Sequence, residues 1–428
     1  MTIDPGAKRA ILDAVGALEG EAEAMLAGLV RFPSTLGNEG PCLDHVAELF
    51  AGLGLPVDRV ATQPSKLASH PGYSPPLLSY EGRDNVAAVH RPRAATGRSL
   101  ALQAHVDVVP EGAAELWTAP PFEPVVRDGR MYGRGAGDMK AGLVSNIMAF
   151  KALREAGLAP AAPVQFQAVI EEECTGNGAL ATMLALPRTD AVIIPEPGPG
   201  VPALYTAEVG VVWAWVTVMG KPAHVREMQA GVNAIEAAMA IAARFKNYEN
   251  EMNRAERVHA SFRGVNHPVN VNLGTVEGGE WNSSVPSRAR IGLRVGVMMG
   301  YSAAETKRDI ERIVAESAAD PALKGAKVHL SWGGFMADPC VFDTDAEIVR
   351  LARESYAEVT GGALRDYPAT GLTDGRFFTL YQDTPVAVFG PDADAIHGID
   401  ESVGLASMHA ITRTIALTLA AWCGTEPA

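Results

Sequence analysis

Basic residues are the scarcer charge in this chain. It carries 36 Lys and Arg against 50 Asp and Glu, a formal net charge of −14. That balance excludes nucleic acid and anionic membrane as partners, because both are polyanions. Cysteine is scarce too: Cys42, Cys174, Cys340 and Cys423 lie far apart and form no C-x-x-C pair. The sequence therefore predicts a reduced, cytoplasmic chain rather than a disulfide framework. No apolar run is long enough to span a bilayer. The opening MTIDPGAKRAILDAV has no apolar core of signal-peptide length. Internal repeats and low-complexity tracts are also missing.

At 428 residues the chain exceeds one compact core, which predicts two domains. Its 47% apolar and 20% charged residues are those of an ordinary globular protein. Helical spacing of apolar residues runs from Pro5 to Phe32, and a second helix is expected over Cys42–Leu53. Extended segments follow at Asn85–His90, Ser99–Val109, Val164–Ile170 and Asp190–Ile194, with a helix at Gly142–Ala156. This alternation predicts a three-layer α/β domain with a largely parallel sheet. The Pro- and Ser-rich loop Gln63–Pro76 reads as a surface excursion. After Glu208 the pattern changes. Strand Val209–Val218, with Trp213 and Trp215 on one face, precedes helix Gly231–Asn253 and strands Val269–Val276 and Arg288–Val297. Helix Ser302–Ala319, with Ser302 as cap and Glu305 three residues on, and strand Lys327–Trp332 complete the unit. The order βαββαβ is that of a ferredoxin-like sandwich. Helix Ala346–Val359 and strand Val386–Phe389 return to α/β character. The expected division is residues 1–207 and 337–428 for the α/β domain and 208–336 for the insertion.

Glu171-Glu172-Glu173 directly follows the apolar run VQFQAVI. Carboxylates at the end of a buried strand are costly unless neutralised. No Lys or Arg lies in the next ten residues, which points to a divalent metal and to further ligands elsewhere. His105-Val-Asp107 closes another such run, and residues two apart on a strand share a face. A metal ligand with its supporting carboxylate fits there, as does a plain surface-loop pair. Gly133-Arg134-Gly135-Ala136-Gly137-Asp138-Met139-Lys140 lacks phosphate-loop spacing. Its glycines allow a tight turn that presents Asp138 before the next helix, although a plain Gly-rich turn reads the same way. Glu196 in Pro195-Glu196-Pro197 follows strand AVII, and His397 lies past strand VAVFG; each alone also suits an exposed loop residue. Four of these five signals follow expected α/β strands, whose carboxyl ends carry ligand sites in open sheets. Two histidines and several carboxylates suit a hydrolytic zinc site, or cobalt or manganese, rather than a structural Cys-rich one.

The combination AHVDVVP, GRGAGDMKAG, EEECTGNGA, PEPG, GKPAHV, GVNAI and TDGRF resembles the metallo-amidohydrolase and metallopeptidase family of acetylornithine deacetylase, succinyl-diaminopimelate desuccinylase, aminoacylase and glutamate carboxypeptidase. The likeness runs from LVRFPSTLGNEG to AIHGIDESV. It implies a zinc-binding catalytic domain and an inserted lid and dimerisation domain. His105, Asp138 and Glu196 would hold one zinc ion, and Asp138, Glu173 and His397 the other. Asp107 would orient His105, and Glu172 would be the general base for a metal-bridging hydroxide. His224, in GKPAHV, would reach across a homodimer to support the oxyanion. Arg294 would grip a substrate carboxylate, as a guanidinium does bidentately. Asn282 and Thr373 would lie beside the substrate.

One departure bears on specificity. Family members often read Gly-Thr-Ser-Asp where this chain has Gly371-Leu372-Thr373-Asp374. Leu372 removes a hydroxyl and points to a less polar substrate. The resemblance thus implies deacylation of an N-acyl amino acid, with a dipeptidase or glutamate-releasing carboxypeptidase as the alternative. A catalytically silent relative that only binds an amino-acid-like ligand is the reading from another class; Glu172 and a full ligand set argue against it.

Overall fold

A computed structural model describes residues 3–323 and 325–428. The two principal sheets draw on thirteen strands: β1 (Val57–Ala61), β2 (Asp84–His90), β3 (Leu100–His105), β4 (Val164–Val169), β5 (Ala191–Ile194), β6 (Ala203–Glu208), β7 (Gly210–Met219), β8 (Val271–Gly278), β9 (Arg288–Val297), β10 (Lys327–Ala337), β11 (Cys340–Val341), β12 (Arg365–Ala369) and β13 (Val386–Gly390). The larger sheet has nine strands in the order β1-β2-β4-β3-β5-β13-β6-β11, with β12 paired to β6. Its centre, β4-β3-β5-β13, is parallel. Both flanks are mixed: β1, β2 and β11 run antiparallel to their neighbours, as β6 does to β13. Every residue of β3, β4, β5 and β13 is buried. This is why these strands read as unbroken apolar runs rather than as alternation.

Helices flank this sheet. Leu405–Cys423 packs against both Ala141–Glu155 and Glu347–Thr360, while Asn177–Ala185 packs against Gly375–Tyr381. Phe166 of β4 meets Phe50 and Phe150 at centroid distances of 5.4 and 5.3 Å. Among the described residues no helix is long and apolar enough to cross a membrane.

Strands β7, β8, β9 and β10 form a second, antiparallel sheet in the order β8-β9-β7-β10. Helices Ala234–Met252 and Ala303–Ala318 cover one face over a separate apolar core. This is the ferredoxin-like βαββαβ unit. Its second helix starts with the expected capping box: Ser302 Oγ accepts from Glu305 N at 3.1 Å, and Glu305 accepts from Ser302 N at 2.8 Å. The insertion enters at Gly210 and leaves at Ala337, side by side. A Cβ at Gly210 would lie 2.4 Å from the Ala337 carbonyl.

Three expectations need correction. The stretch Pro5–Phe32 forms two helices, Pro5–Ala17 and Glu19–Val30, parted at Leu18 between the weak helix formers Gly16 and Gly20. The strand begun at Leu100 stops at His105, so Val106–Val109 is irregular. The loop Gln63–Pro76 is not simply a surface excursion. Ser74 is fully buried, its Oγ accepts from Met336 N at 3.1 Å, and Pro75 O accepts from Gly334 N at 2.8 Å. The loop thereby ties the α/β body to β10.

Two glycines fix the peptide that carries Glu196. A Cβ at Gly142 would stand 2.2 Å from the Pro195 carbonyl, and one at Gly390 would stand 2.2 Å from the Glu196 carbonyl. Both collisions are with backbone, which cannot swing away. Gly142→Ala and Gly390→Ala are each expected to destabilise the protein by about 1–3 kcal/mol through overpacking. Urea denaturation checks this, and an unchanged midpoint for both would contradict the packing described.

Candidate metal centre

The four central strands end along one edge, and each delivers chemistry there. His105 is the last residue of β3. Glu172 and Glu173 follow β4, Glu196 follows β5, and His397 lies on the loop beyond β13. Asp138 comes from the glycine-rich turn before helix Ala141–Glu155, where Gly135 takes the left-handed conformation at φ +81°. His105 Nε2 lies 3.1 Å from Asp138 Oδ1 and 3.8 Å from Glu196 Oε1. His397 Nε2 lies 3.0 Å from Glu173 Oε1 and 3.4 Å from Asp138 Oδ2. Asp138 thus touches both imidazoles. Ligand atoms of His105, Asp138 and Glu173 all fall within 4.8 Å of one another.

These groups strain against their surroundings. Burial pushes Glu172 and Glu196 well above the usual carboxylate range. Glu173 raises His397 to about 11, with Asp138 adding to the effect. Burial opposes a charge on His105, yet Asp138 and Glu196 hold it well above its ordinary value. Among the described residues no Lys or Arg pairs with Asp138, Glu172, Glu173 or Glu196. Among the described residues, the imidazoles of His105 and His397 are the basic groups that meet these carboxylates. Glu196 Oε1 is buried without a hydrogen-bond partner. An orphaned buried oxygen among His and carboxylate donors fits a divalent cation.

Neighbouring groups set the geometry. Asp107 lies past the end of β3. His105 Nδ1 meets the Asp107 carbonyl at 2.9 Å, with Asp107 Oδ1 at 3.6 Å. The Asp107 carboxylate accepts from the backbone N–H groups of Glu172 and Glu173 at 3.2 and 3.1 Å. Glu401 accepts from the N–H groups of Gly137 and Asp138 at 2.9 and 3.1 Å and is ion-paired to Arg134. Sequence reasoning missed Glu401, although it stands four residues after His397 in AIHGIDES. Lys140 is fully buried and donates to the carbonyls of Leu29 and Phe32 at 3.0 and 2.8 Å. It ties the turn to the C-terminal end of helix Glu19–Val30.

The charge argument from Glu171-Glu172-Glu173 holds for only two of the three. Glu171 turns away, ion-paired to Arg83 at 2.7 Å and accepting from Tyr80 Oη and Thr175 Oγ1 at 2.6 and 2.7 Å. Arg83 also pairs with Glu39. Its neutralising cation is remote in sequence, which the local search for Lys and Arg could not see.

A cavity of about 1050 Å³ opens over the cluster, lined on the α/β side by Asp138, Glu172, Glu173, Glu196 and His397 and on the inserted side by β7, β8 and β9. Residues 101–421 match the family model for peptidase family M20/M25/M40. The chain belongs to this family. As an M20 protein it is a metal-dependent hydrolase. It is 25% identical over 355 residues to N-formyl-4-amino-5-aminomethyl-2-methylpyrimidine deformylase of Halalkalibacterium halodurans, covering 76% of this chain and 79% of that one. It is 27% identical over 417 residues to succinyl-diaminopimelate desuccinylase of a Methylobacterium species, covering 94% and 96%. Among solved structures it is similar in fold to the di-peptidase Dug1p of Saccharomyces cerevisiae, with TM-score 0.79 at 14% identity over 99% of this chain and all of that one.

The M20 cavity receives some of the expected substrate residues and not others. Arg294 lines it. The Arg294 guanidinium donates to Thr370 O at 3.0 Å and Asn270 O at 3.4 Å, and burial lowers it to about 10. Thr373 borders the cavity, but its hydroxyl is not free for substrate: it donates to Glu208 and accepts from Gly375 N. His224 and Asn282 are exposed and lie outside the lining. They share one corner, where His224 bridges to Ser284 and Val225 N donates to Ser283 O.

Two buried acids beside the site were also missed. Asp374, within TDGRF, accepts from Gln103 Nε2 at 2.8 Å. Glu208, at the end of β6, is raised to about 8 by burial. A proton held more tightly in the folded than in the unfolded chain stabilises fully below the ordinary value of 4.5. That stability is lost as pH rises towards 8. Glu208→Gln keeps an acceptor for Thr373 and removes the titration. Thermal unfolding is expected to show the variant gaining on the parent protein from pH 5 to pH 8; parallel pH profiles would contradict this.

Proposed function

We propose that this M20 hydrolase cleaves the amide bond of an N-acyl amino acid. The observation that carries the reading is Arg294, a half-buried guanidinium without a carboxylate partner among the described residues, in the cavity that holds Glu172 and the ligand cluster. A free substrate carboxylate supplies the missing partner and fixes the amide relative to the carboxylate edge. His105, Asp138 and Glu196 would hold one zinc ion, and Asp138, Glu173 and His397 a second. When bound, the metals supply Lewis-acid activation of water and of the scissile carbonyl.

The remaining work belongs to the chain itself. Glu172 is buried, its backbone N–H donates to Asp107, and among the described residues its carboxylate has no ion-pair partner. It accepts a proton from the attacking water and returns it to the leaving amine. Arg294 holds the substrate so that hydrolysis proceeds from a fixed geometry.

His224 is proposed to complete the site of a second copy by donating to the oxyanion. The exposed position of His224 supports this, as does the edge strand β8, where Leu273, Val276 and neighbouring Trp281 are exposed. An unpaired edge with apolar side chains is a surface that another chain covers.

Glu172→Gln is expected to lower kcat by about 10²–10⁴-fold with metal content unchanged. Mixing it with His224→Ala, with subunit exchange verified, should restore about a quarter of the parent activity, because one site of each mixed twofold dimer is intact. An active Glu172→Gln removes the general base from the scheme, and exchange without recovery places His224 outside the partner's site.

A further inference from the structure

We propose that the amino acid released at this site carries an aromatic side chain, and that Trp213 and Trp215 select it. The inference rests on the N-acyl amino acid reading above and names the substrate class within it.

The register of the inserted sheet supplies the geometry. Arg294 on β9 stands opposite Trp213 on β7 and Asn272 on β8, and the next row is Trp215, Gly292 and Thr275. All six residues line the cavity. Gly292 has no side chain, and its place is filled: a Cβ there would lie 2.7 Å from the Trp215 ring. The Trp215 indole therefore lies across the strand. Its Nε1 donates to Gly333 O at 3.3 Å, and the Arg290 guanidinium stands 4.1 Å from the ring centroid. Strand β10 bulges opposite Trp213, where Gly334 adopts φ +83°. A Cβ at Gly334 would stand 2.3 Å from the Trp213 ring, and Phe335 meets that ring edge-on at 5.5 Å. Two glycines thus leave room for two indoles, which form an aromatic floor.

A substrate carboxylate and side chain branch from the same carbon. With the carboxylate on Arg294, the side chain falls on the same row or the next, where Trp213 and Trp215 offer ring surface. Charge argues the same way. Arg294 is the one Lys or Arg among the residues lining the cavity. A second carboxylate, on an acidic side chain or a succinyl group, finds no second Lys or Arg in that lining. Leu372 adds a further apolar wall.

The test uses the full-length, zinc-loaded protein. Its kcat/KM for N-acetyl-L-phenylalanine should exceed those for N-acetyl-L-alanine and N-acetyl-L-glutamate by about ten- to a hundredfold, the worth of burying one aromatic side chain. Trp215→Ala should reduce the phenylalanine-to-alanine ratio by about tenfold, and Trp215→Phe should retain most of it. Metal-free protein should bind L-phenylalanine more tightly than L-alanine, followed by tryptophan fluorescence. Equal or greater kcat/KM for the alanine or glutamate substrate overturns aromatic selection and leaves amide hydrolysis standing. Failure to hydrolyse any N-acetyl amino acid overturns the underlying reading. In that case the ratio for Ala-Phe over Ala-Ala decides the aromatic assignment alone.

Discussion

Carboxylates gathered at one edge of a buried sheet constrain everything around them. Four parallel strands end together, and the segments after them bring Glu172, Glu173, Glu196 and the imidazoles of His105 and His397 to a cavity that Asp138 enters from a separate turn. Taking such charge out of water is costly without a compensating cation. Glu171 is compensated within the protein by Arg83, whereas among the described residues its neighbours meet histidine and no Lys or Arg. The same three-residue run is therefore divided by direction: one side chain serves the fold, and two serve the cavity.

Much of the remaining structure holds this edge in place. The turn bearing Asp138 is fastened at one end by Glu401 with Arg134 and at the other by the buried Lys140 ammonium. Asp107 gathers the backbone of Glu172 and Glu173. Gly142 and Gly390 let the Pro195-Glu196 peptide pass between two elements without room for a methyl group. The inserted sheet adds the opposite wall, where a lone guanidinium and two indoles face the acidic edge. In the proposed scheme, hydrolysis and selection are divided between two separately packed cores.

Sequence made the acidic edge legible because strands buried on both faces appear as apolar runs, and a charge directly after such a run is conspicuous. His105, Glu173 and Glu196 were found that way. The division of roles among the glutamates came from the family resemblance, not from spacing. Arg83 was invisible as the partner of Glu171 because ion pairs across a fold leave no local pattern. Glu401 and Asp374 sat inside quoted motifs but gave no period or spacing that marked them. The antiparallel flanks were hidden because β2 and β6 are buried much like the central strands, and burial carries no mark of strand direction. Thr373 looked available until Glu208, remote in sequence, was seen to take its hydroxyl. The indole floor needed the register of three strands and a bulge at Gly333-Gly334.

The central claim is that this edge holds two metal ions sharing Asp138. Diffraction at the zinc absorption edge, from crystals of the zinc-loaded protein, tests it most directly. The account predicts two anomalous peaks in the cavity, one about 2.0–2.2 Å from donor atoms of His105, Asp138 and Glu196 and the other at that distance from Asp138, Glu173 and His397. Zinc bound elsewhere with this cavity empty, or two ions that share no ligand at Asp138, would contradict it.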